Sequence, residues 1–237
     1  MDHKSASPVR RRGMAVALGL LLATAVGGIA VAESAAQNPA PAESTPAGKQ
    51  TESVILAGGC FWCVESDFDK VPGVLETVSG YAGGHTPNPT YRMVSSGGTG
   101  HREVVRVTYD PAQVSLPQLM SYFWRTIDPV DAGGQFCDRG ESYTTAIYAT
   151  TADQAKQAEQ SKAQIEKILG KPVATPVIRL DPAQFTAAED YHQDYHTKSS
   201  IKYTYYRYSC GRDARLGDLW GDAAGKWPPP GESDARS

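Results

Sequence analysis

The stretch SVILAGGCFWCVESDF, residues 53–68, decides how the fold begins. Ser53–Ala57 is an apolar run too short for a helix and is closed by Gly58-Gly59, so it reads as a buried strand. The residues from Cys60 to about Lys70 then repeat apolar side chains (Val64, Phe68, Val71) at helical spacing, and Pro72-Gly73 stops them. A strand that turns through two glycines into a helix leaves Cys60 at the helix start, with Cys63 one turn on and Phe61-Trp62 between them. Such a pair suits a redox disulfide, half of a metal site, or a nucleophile with an aromatic pocket, and this stretch alone does not choose.

Working outward, Val74–Tyr81 reads as a second strand, Ala82 to about His101 as a long loop, and Glu103–Tyr109 as a third strand closed by Asp110-Pro111. Ser115-x-x-Gln118 is a capping box with Pro117 in the first turn, and Leu119, Tyr122, Phe123 and Ile127 line one helical face after it. Ser142–Thr150 reads as a fourth strand, Thr151 starts a helix ended by Gly170 and Pro172, and Pro176–Leu180 is a candidate extra strand. Phe185–Tyr195 is a candidate last short helix, with coil expected beyond it. The order β-α-β-β-α-β predicts an α+β fold, a two-layer ferredoxin-like core with added C-terminal helices and a long coil tail.

The chain's first part reads differently. Arg10-Arg11-Arg12 precedes an uncharged run from Gly13 to Ala32 that ends Ala30-Val31-Ala32, the pattern of a secretory signal peptide over residues 1–32. A retained N-terminal membrane anchor is the alternative, since the run approaches bilayer-spanning length. Residues 33–52, rich in Ala, Pro, Ser and Thr, read as a flexible linker, residues 53–215 as one domain with its own core, and residues 216–237 as a disordered tail. An exported, periplasmic or extracytoplasmic location follows. The formal net charge of −3, with both signs interspersed, leaves no nucleic-acid footprint. Only four cysteines (Cys60, Cys63, Cys137 and Cys210) favour redox chemistry over a disulfide framework.

Backbone N–H groups and the dipole at a helix start favour a thiolate, so Cys60 is expected to have a lowered pKa and to act as a nucleophile. Phe61 and Trp62 are core residues or a dispersion grip for a small apolar group. Strand, C-x-x-C and helix also suit a thioredoxin-like disulfide oxidoreductase, although the bulky aromatics and the lack of a preceding βαβ unit count against it. His192 and His196 have zinc-helix spacing but lack the glutamate of H-E-x-x-H, and no second C-x-x-C completes a Cys₄ site. No metal is therefore expected, and the two histidines read as helix surface.

GCFWCVE at 59–65 closely resembles the signature of the A-type peptide methionine sulfoxide reductases, usually GCFWG-x-E. The resemblance continues through GYAGGHTPNPTYR (80–92), GTGHREVVRVTYDP (98–111), QFCDRGESYTTAIY (135–148) and AEDYHQDY (188–195). It implies an enzyme that reduces the S epimer of methionine sulfoxide, protein-bound or free, without a bound cofactor. Cys60 matches the nucleophile, Glu103 the acid beside the substrate oxygen, Tyr91 and Tyr143 the hydroxyls that hold that oxygen, and Asp138 an acidic residue at the rim. Phe61 and Trp62 match the cradle for the S-methyl group. The implied partners are oxidised proteins or peptides and a thioredoxin-like dithiol that recycles the enzyme, which is expected to be a monomer. Two positions depart from the pattern: Cys63 stands where the signature has Gly, and Cys137 precedes Asp138. The C-terminal region is where many family members carry a resolving cysteine, and Cys210 lies there in a glycine-bearing segment without periodicity. The expected disulfide is Cys60–Cys210, with Cys63 as a second relay and Cys137 as a bystander; the alternative is Cys63, one helical turn from Cys60, as the resolving thiol.

Overall fold

The apolar run at 53–57 lies inside the sheet as β1 (Glu52–Ala57), in a computed structural model that describes residues 50–229. Gly58 and Gly59 then turn the chain into α1 (Phe61–Phe68). Gly59 has φ +85°, and a Cβ there would meet Gln135 at 2.6 Å, so both the backbone and the space require glycine. The chain continues through β2 (Val74–Ala82), the short α2 (Tyr91–Ser95), β3 (Arg102–Tyr109) and α3 (Leu116–Trp124). The capping box at Ser115 and Gln118 starts α3 as the sequence predicts. A small hairpin, β4 (Gly134–Gln135) and β5 (Asp138–Arg139), and a 3₁₀ turn at Glu141–Tyr143 lead to β6 (Ala146–Ala149). The expected strand at 142–150 is therefore shorter.

Next comes α4 (Ala152–Leu169), capped by the Thr151 hydroxyl and closed by left-handed Gly170, followed by β7 (Val177–Arg179). The sheet order is β7-β6-β1-β3-β2-β8, where β8 is Thr186–Ala187. Its four inner strands alternate antiparallel, so β1 runs parallel to β2 across β3, and β3 parallel to β6 across β1. This is the split βαβ arrangement expected from the element order. In register, Val54 faces Val107 and Leu56 lies between Val105 and Ile147. These residues join Phe61, Val64, Phe68, Leu119, Phe123, Ala158 and Ile165 in the main core, so α1, α3 and α4 cover one face. Ile55, Ala57, Val104 and Tyr148 form a smaller cluster on the other face. With both faces covered, Val54–Ala57 is buried at every position and reads as a continuous apolar run.

The C-terminal part departs from expectation. Phe185–Tyr195 is not a helix: it contains β8 and a turn, and α5 is only Tyr195–Lys198. The coil expected beyond it holds α6 (Ser200–Ser209) and α7 (Arg212–Trp220), joined through left-handed Gly211. Within α6 only Tyr203 is buried, and α7 buries Arg212 and Leu216, so aliphatic periodicity could not announce either helix. The tail expected over 216–237 is structured as far as it is described: Leu216 is buried, the Trp220 indole N–H donates to the Ile127 carbonyl, and Trp227 packs on Tyr122. Residues 230–237, the signal segment and most of the linker lie outside the described residues; Glu52, assigned to the linker, begins β1.

Glu65, one turn after Cys60, is fully buried on α1 and accepts the Asp194 N–H at 3.0 Å, which pins the turn before α5. Burial, with the nearby charges of Asp69 and Asp194, pushes its carboxyl up to about 8. A folded-state value above the ordinary one gives stability that is complete below about pH 4.5 and is lost as pH rises through about 8. Glu65→Gln cannot ionise, so its stability relative to wild type should improve by roughly 1–3 kcal/mol between pH 5 and pH 9. Urea midpoints at the two pH values check this; a gap that does not change with pH would refute it.

Candidate active site

At the turn from β1 into α1, the side chain of Cys60 meets residues delivered by four other parts of the chain. Glu103 shares a strand face with Val105 and Val107, which places its carboxyl below the start of α1, where Oε2 accepts the Phe61 N–H at 2.9 Å. Tyr91 opens α2 and is held by its N–H to Glu189 at 2.9 Å; the same carboxylate accepts the Tyr81 hydroxyl. Asp138 comes from β5 and Tyr143 from the 3₁₀ turn. Together with Phe61 and Trp62 they line a cavity of about 50 Å³ beside Cys60. All seven residues assigned to the nucleophile, acid, hydroxyl, rim and cradle positions are thus brought together.

An eighth wall is Tyr206 of α6, which the sequence reading missed. Its hydroxyl donates to Asp138 Oδ2 and also reaches the Cys60 thiol. Tyr203, Tyr206 and Cys210 recur at spacings of three and four, and that stripe was the available signal for an inward helical face. Trp62 is held from both sides: Tyr195 stacks on it at 3.8 Å between ring centroids, and its indole N–H donates to His192 Nδ1 at 3.1 Å. Burial lowers the His192 pKa, which keeps that nitrogen free to accept. His192 is therefore buried support for the aromatic wall and not helix surface, as the i,i+4 pattern had suggested.

The electrostatics favour acid catalysis. Burial is the main cause that lifts Glu103 to about 8; the charges of Asp138 and Cys63 add to it, against the Phe61 N–H and the Tyr143 hydroxyl. Glu103 is a carboxylic acid at neutral pH and can donate a proton. Burial also raises Tyr91 and Tyr143, so both remain neutral hydroxyl donors. Cys60 goes against the sequence expectation. Burial raises its thiol pKa well above the ordinary value, and hydrogen bonding to Cys63 and the charges of Cys63 and Glu103 add to the rise. With the residue only 6% exposed, desolvation outweighs the field of the short α1. Cys63 moves the other way, to about 7, chiefly because Cys60 hydrogen-bonds to it, with help from Arg212 and Arg207.

The cysteine pairing also differs from expectation. Cys210 is bonded to Cys137, and the free thiols are Cys60 and Cys63, both buried. Cys210 ends α6 one turn after Tyr206, which keeps it in place instead of swinging on a loose segment. Cys137, expected as a bystander, is its partner, and the bridge lies next to Asp138 at the edge of the cavity.

Residues 52–224 match the family model described as peptide methionine sulfoxide reductase. The chain is 55% identical over 175 residues to the Rhizobium meliloti protein named peptide methionine sulfoxide reductase MsrA 2, covering 74% of this chain and 86% of that one. It is 48% identical over 175 residues to the MsrA of Bacillus licheniformis, covering 73% and 96%. Among solved structures it is similar to methionine sulfoxide reductase A of Corynebacterium diphtheriae, with TM-score 0.60, 37% identity, and coverage of 62% of this chain and 74% of that one.

The thiol arrangement makes a direct prediction. Alkylation of unfolded, unreduced protein should label Cys60 and Cys63, and peptide mapping should recover a Cys137–Cys210 crosslink. A Cys60–Cys210 crosslink in protein never exposed to substrate would contradict the pairing.

Proposed function

Since the chain belongs to the peptide methionine sulfoxide reductase family, we propose a cycle in which methionine sulfoxide is reduced at Cys60 and the oxidising equivalents leave through three further cysteines. The chain is an oxidoreductase of that family, and methionine sulfoxide reduction is the activity its relatives' names carry. The observation that carries the cycle is a buried, protonated Glu103 and two neutral tyrosine hydroxyls gathered beside a single cysteine. Thiol–disulfide exchange of the C-x-x-C type has no use for such a set.

A sulfoxide oxygen is a strong acceptor and leaves only if it is protonated. Glu103 gives the proton, Tyr91 and Tyr143 hold the oxygen as charge grows, and the S-methyl group rests against Phe61 and Trp62. Attack by Cys60 on the sulfoxide sulfur yields methionine and a Cys60 sulfenic acid. Cys63, the thiol in contact with Cys60, condenses with it to a disulfide; this replaces the direct Cys60–Cys210 step, because Cys210 pairs with Cys137. In protein whose Cys137 and Cys210 are reduced, exchange moves the disulfide to that outer pair, and a thioredoxin-like dithiol reduces it there. No bound cofactor takes part. The substrates are the S epimer in oxidised proteins and peptides or as the free sulfoxide, the chain acts as a monomer without nucleic acid, and its role is the repair of oxidised proteins.

Single-turnover reduction of a methionine sulfoxide peptide tests the chemistry. Cys60→Ser should form no product, and Glu103→Gln should slow the step by about 10²–10⁴-fold, because an amide cannot donate the proton. The advantage of wild type over Glu103→Gln should shrink as pH climbs through about 8, where Glu103 ionises. A Glu103→Gln rate near wild type would assign the proton to another group.

The basic cluster, apolar run and Ala30-Val31-Ala32 ending support export with cleavage after Ala32. N-terminal sequencing of the exported protein should begin at Glu33; an intact N-terminus in the membrane fraction would mean an anchor.

A further inference from the structure

Arg212 stands at the first position of α7 and is 1% exposed, yet no carboxylate lies within ion-pair distance of it among the described residues. Its Nη2 donates to the carbonyls of Gly58 at 3.1 Å and Thr126 at 2.9 Å, and its guanidinium lies 4.6 Å over the Phe136 ring. A Cβ on Gly59 would be 3.7 Å from Nη1, so this cation sits directly beneath the Gly58-Gly59-Cys60 turn. Burying an arginine without a close anion is costly, and the two carbonyls, the Phe136 ring and the more distant Asp138 and Asp213 offset that cost only in part.

We propose that Arg212 is a positioning residue for the resolving step: it holds the negative charge of the Cys60–Cys63 pair on Cys63, so that the resolving thiol is already ionised when the sulfenic acid forms. The inference rests on the reading of Cys63 as the resolving residue. The groups that bear on Cys63 are Cys60, Asp67, Glu103, Tyr203, Arg207 and Arg212. Arg207 is already committed to Asp67 at 2.8 Å and Asp213 at 2.7 Å, so its charge is largely offset. Arg212 forms no ion pair and reaches Asp138 and Asp213 only at longer range, which leaves it the cation best able to balance a thiolate. The Cys60 thiol hydrogen-bonds to Cys63, and the pKa values of the two are displaced in opposite directions. Once Cys60 carries a hydroxyl, the Cys63 thiolate attacks its sulfur. The S–S bond forms as the S–O bond breaks, the Cys63 sulfur is oxidised as the Cys60 sulfur is reduced, and hydroxide leaves as water with a proton from solvent.

The test separates formation of the sulfenic acid from its loss. Fully reduced full-length protein is mixed with one equivalent of a methionine sulfoxide peptide, and Cys60 sulfenic acid is trapped by a carbon nucleophile at timed intervals. In wild type, loss of the sulfenic acid should be nearly pH-independent above about 7, where Cys63 is ionised. Arg212→Gln removes the charge and leaves a shorter, neutral amide donor. At pH 7 it should slow loss by about tenfold more than it slows formation, with the deficit closing toward pH 9.5. Arg212→Lys, which keeps the charge, should retain a pH midpoint close to wild type; it decides the matter alone if the Gln variant does not fold. Equal slowing of both steps at every pH, or a Lys variant that behaves like Gln, would reduce Arg212 to a structural role and overturn the inference. Sulfenic acid that disappears as fast in Cys63→Ser as in wild type would instead remove the assignment of Cys63, and the inference with it.

Discussion

The Phe61 N–H donated to the Glu103 carboxyl ties the first turn of α1 to the central strand β3, and the site is organised around that bond. It joins the nucleophile's helix to the sheet at the point where the chain leaves Gly59, so the height of Cys60 above the sheet is set by a polar contact inside the core. The contact draws Glu103 toward its ionised form, but burial outweighs it and the carboxyl remains protonated. One residue therefore does two jobs that conflict in water. It accepts a backbone hydrogen bond that fixes geometry, and it keeps a proton for the substrate because it is desolvated.

The same desolvation creates a difficulty for Cys60. A buried thiol is a poor nucleophile, and the helix start does not compensate for it. Partial relief comes from the far end of the chain, where α6 brings a Tyr206 hydrogen bond that lowers the Cys60 thiol pKa and α7 lies under the turn. Tyr206 reaches the thiol from α6, and Arg212 of α7 donates a hydrogen bond to the Gly58 carbonyl beneath it. The C-terminal helices thus complete a site whose other walls come from the ferredoxin-like core. The outer Cys137–Cys210 bridge couples the two, linking the end of α6 to the residue before Asp138.

The aromatic wall shows how much support a single reactive pocket needs. Trp62 is fixed by a stacked Tyr195 and by a hydrogen bond to His192, and His192 in turn packs against Phe61 and Tyr91. Glu65 fastens the same turn through the Asp194 N–H. A rigid wall of this kind pre-orders the cradle before substrate arrives, so less conformational entropy is lost on binding.

The inner strands, the Gly58-Gly59 turn, the caps at Ser115 and Thr151, and seven residues that line the cavity were all legible in the sequence. Apolar period, glycine and capping chemistry act over a few residues, and the motif blocks that carry the reactive groups are themselves short and contiguous. The position of Glu103 on the helix-facing side of β3 follows from strand parity alone. Only the tertiary structure revealed α6 and α7, because helices that bury tyrosine, arginine and one leucine carry no aliphatic stripe. Disulfide pairing was beyond the sequence too, since any two of the four cysteines could pair and the choice depends on which elements meet in space. The direction of the Cys60 shift was likewise hidden: local position argued for a thiolate, and burial, a property of the whole fold, reversed it. Sequence determines what is settled between neighbours along the chain; desolvation and long-range charge are settled only when distant segments pack together.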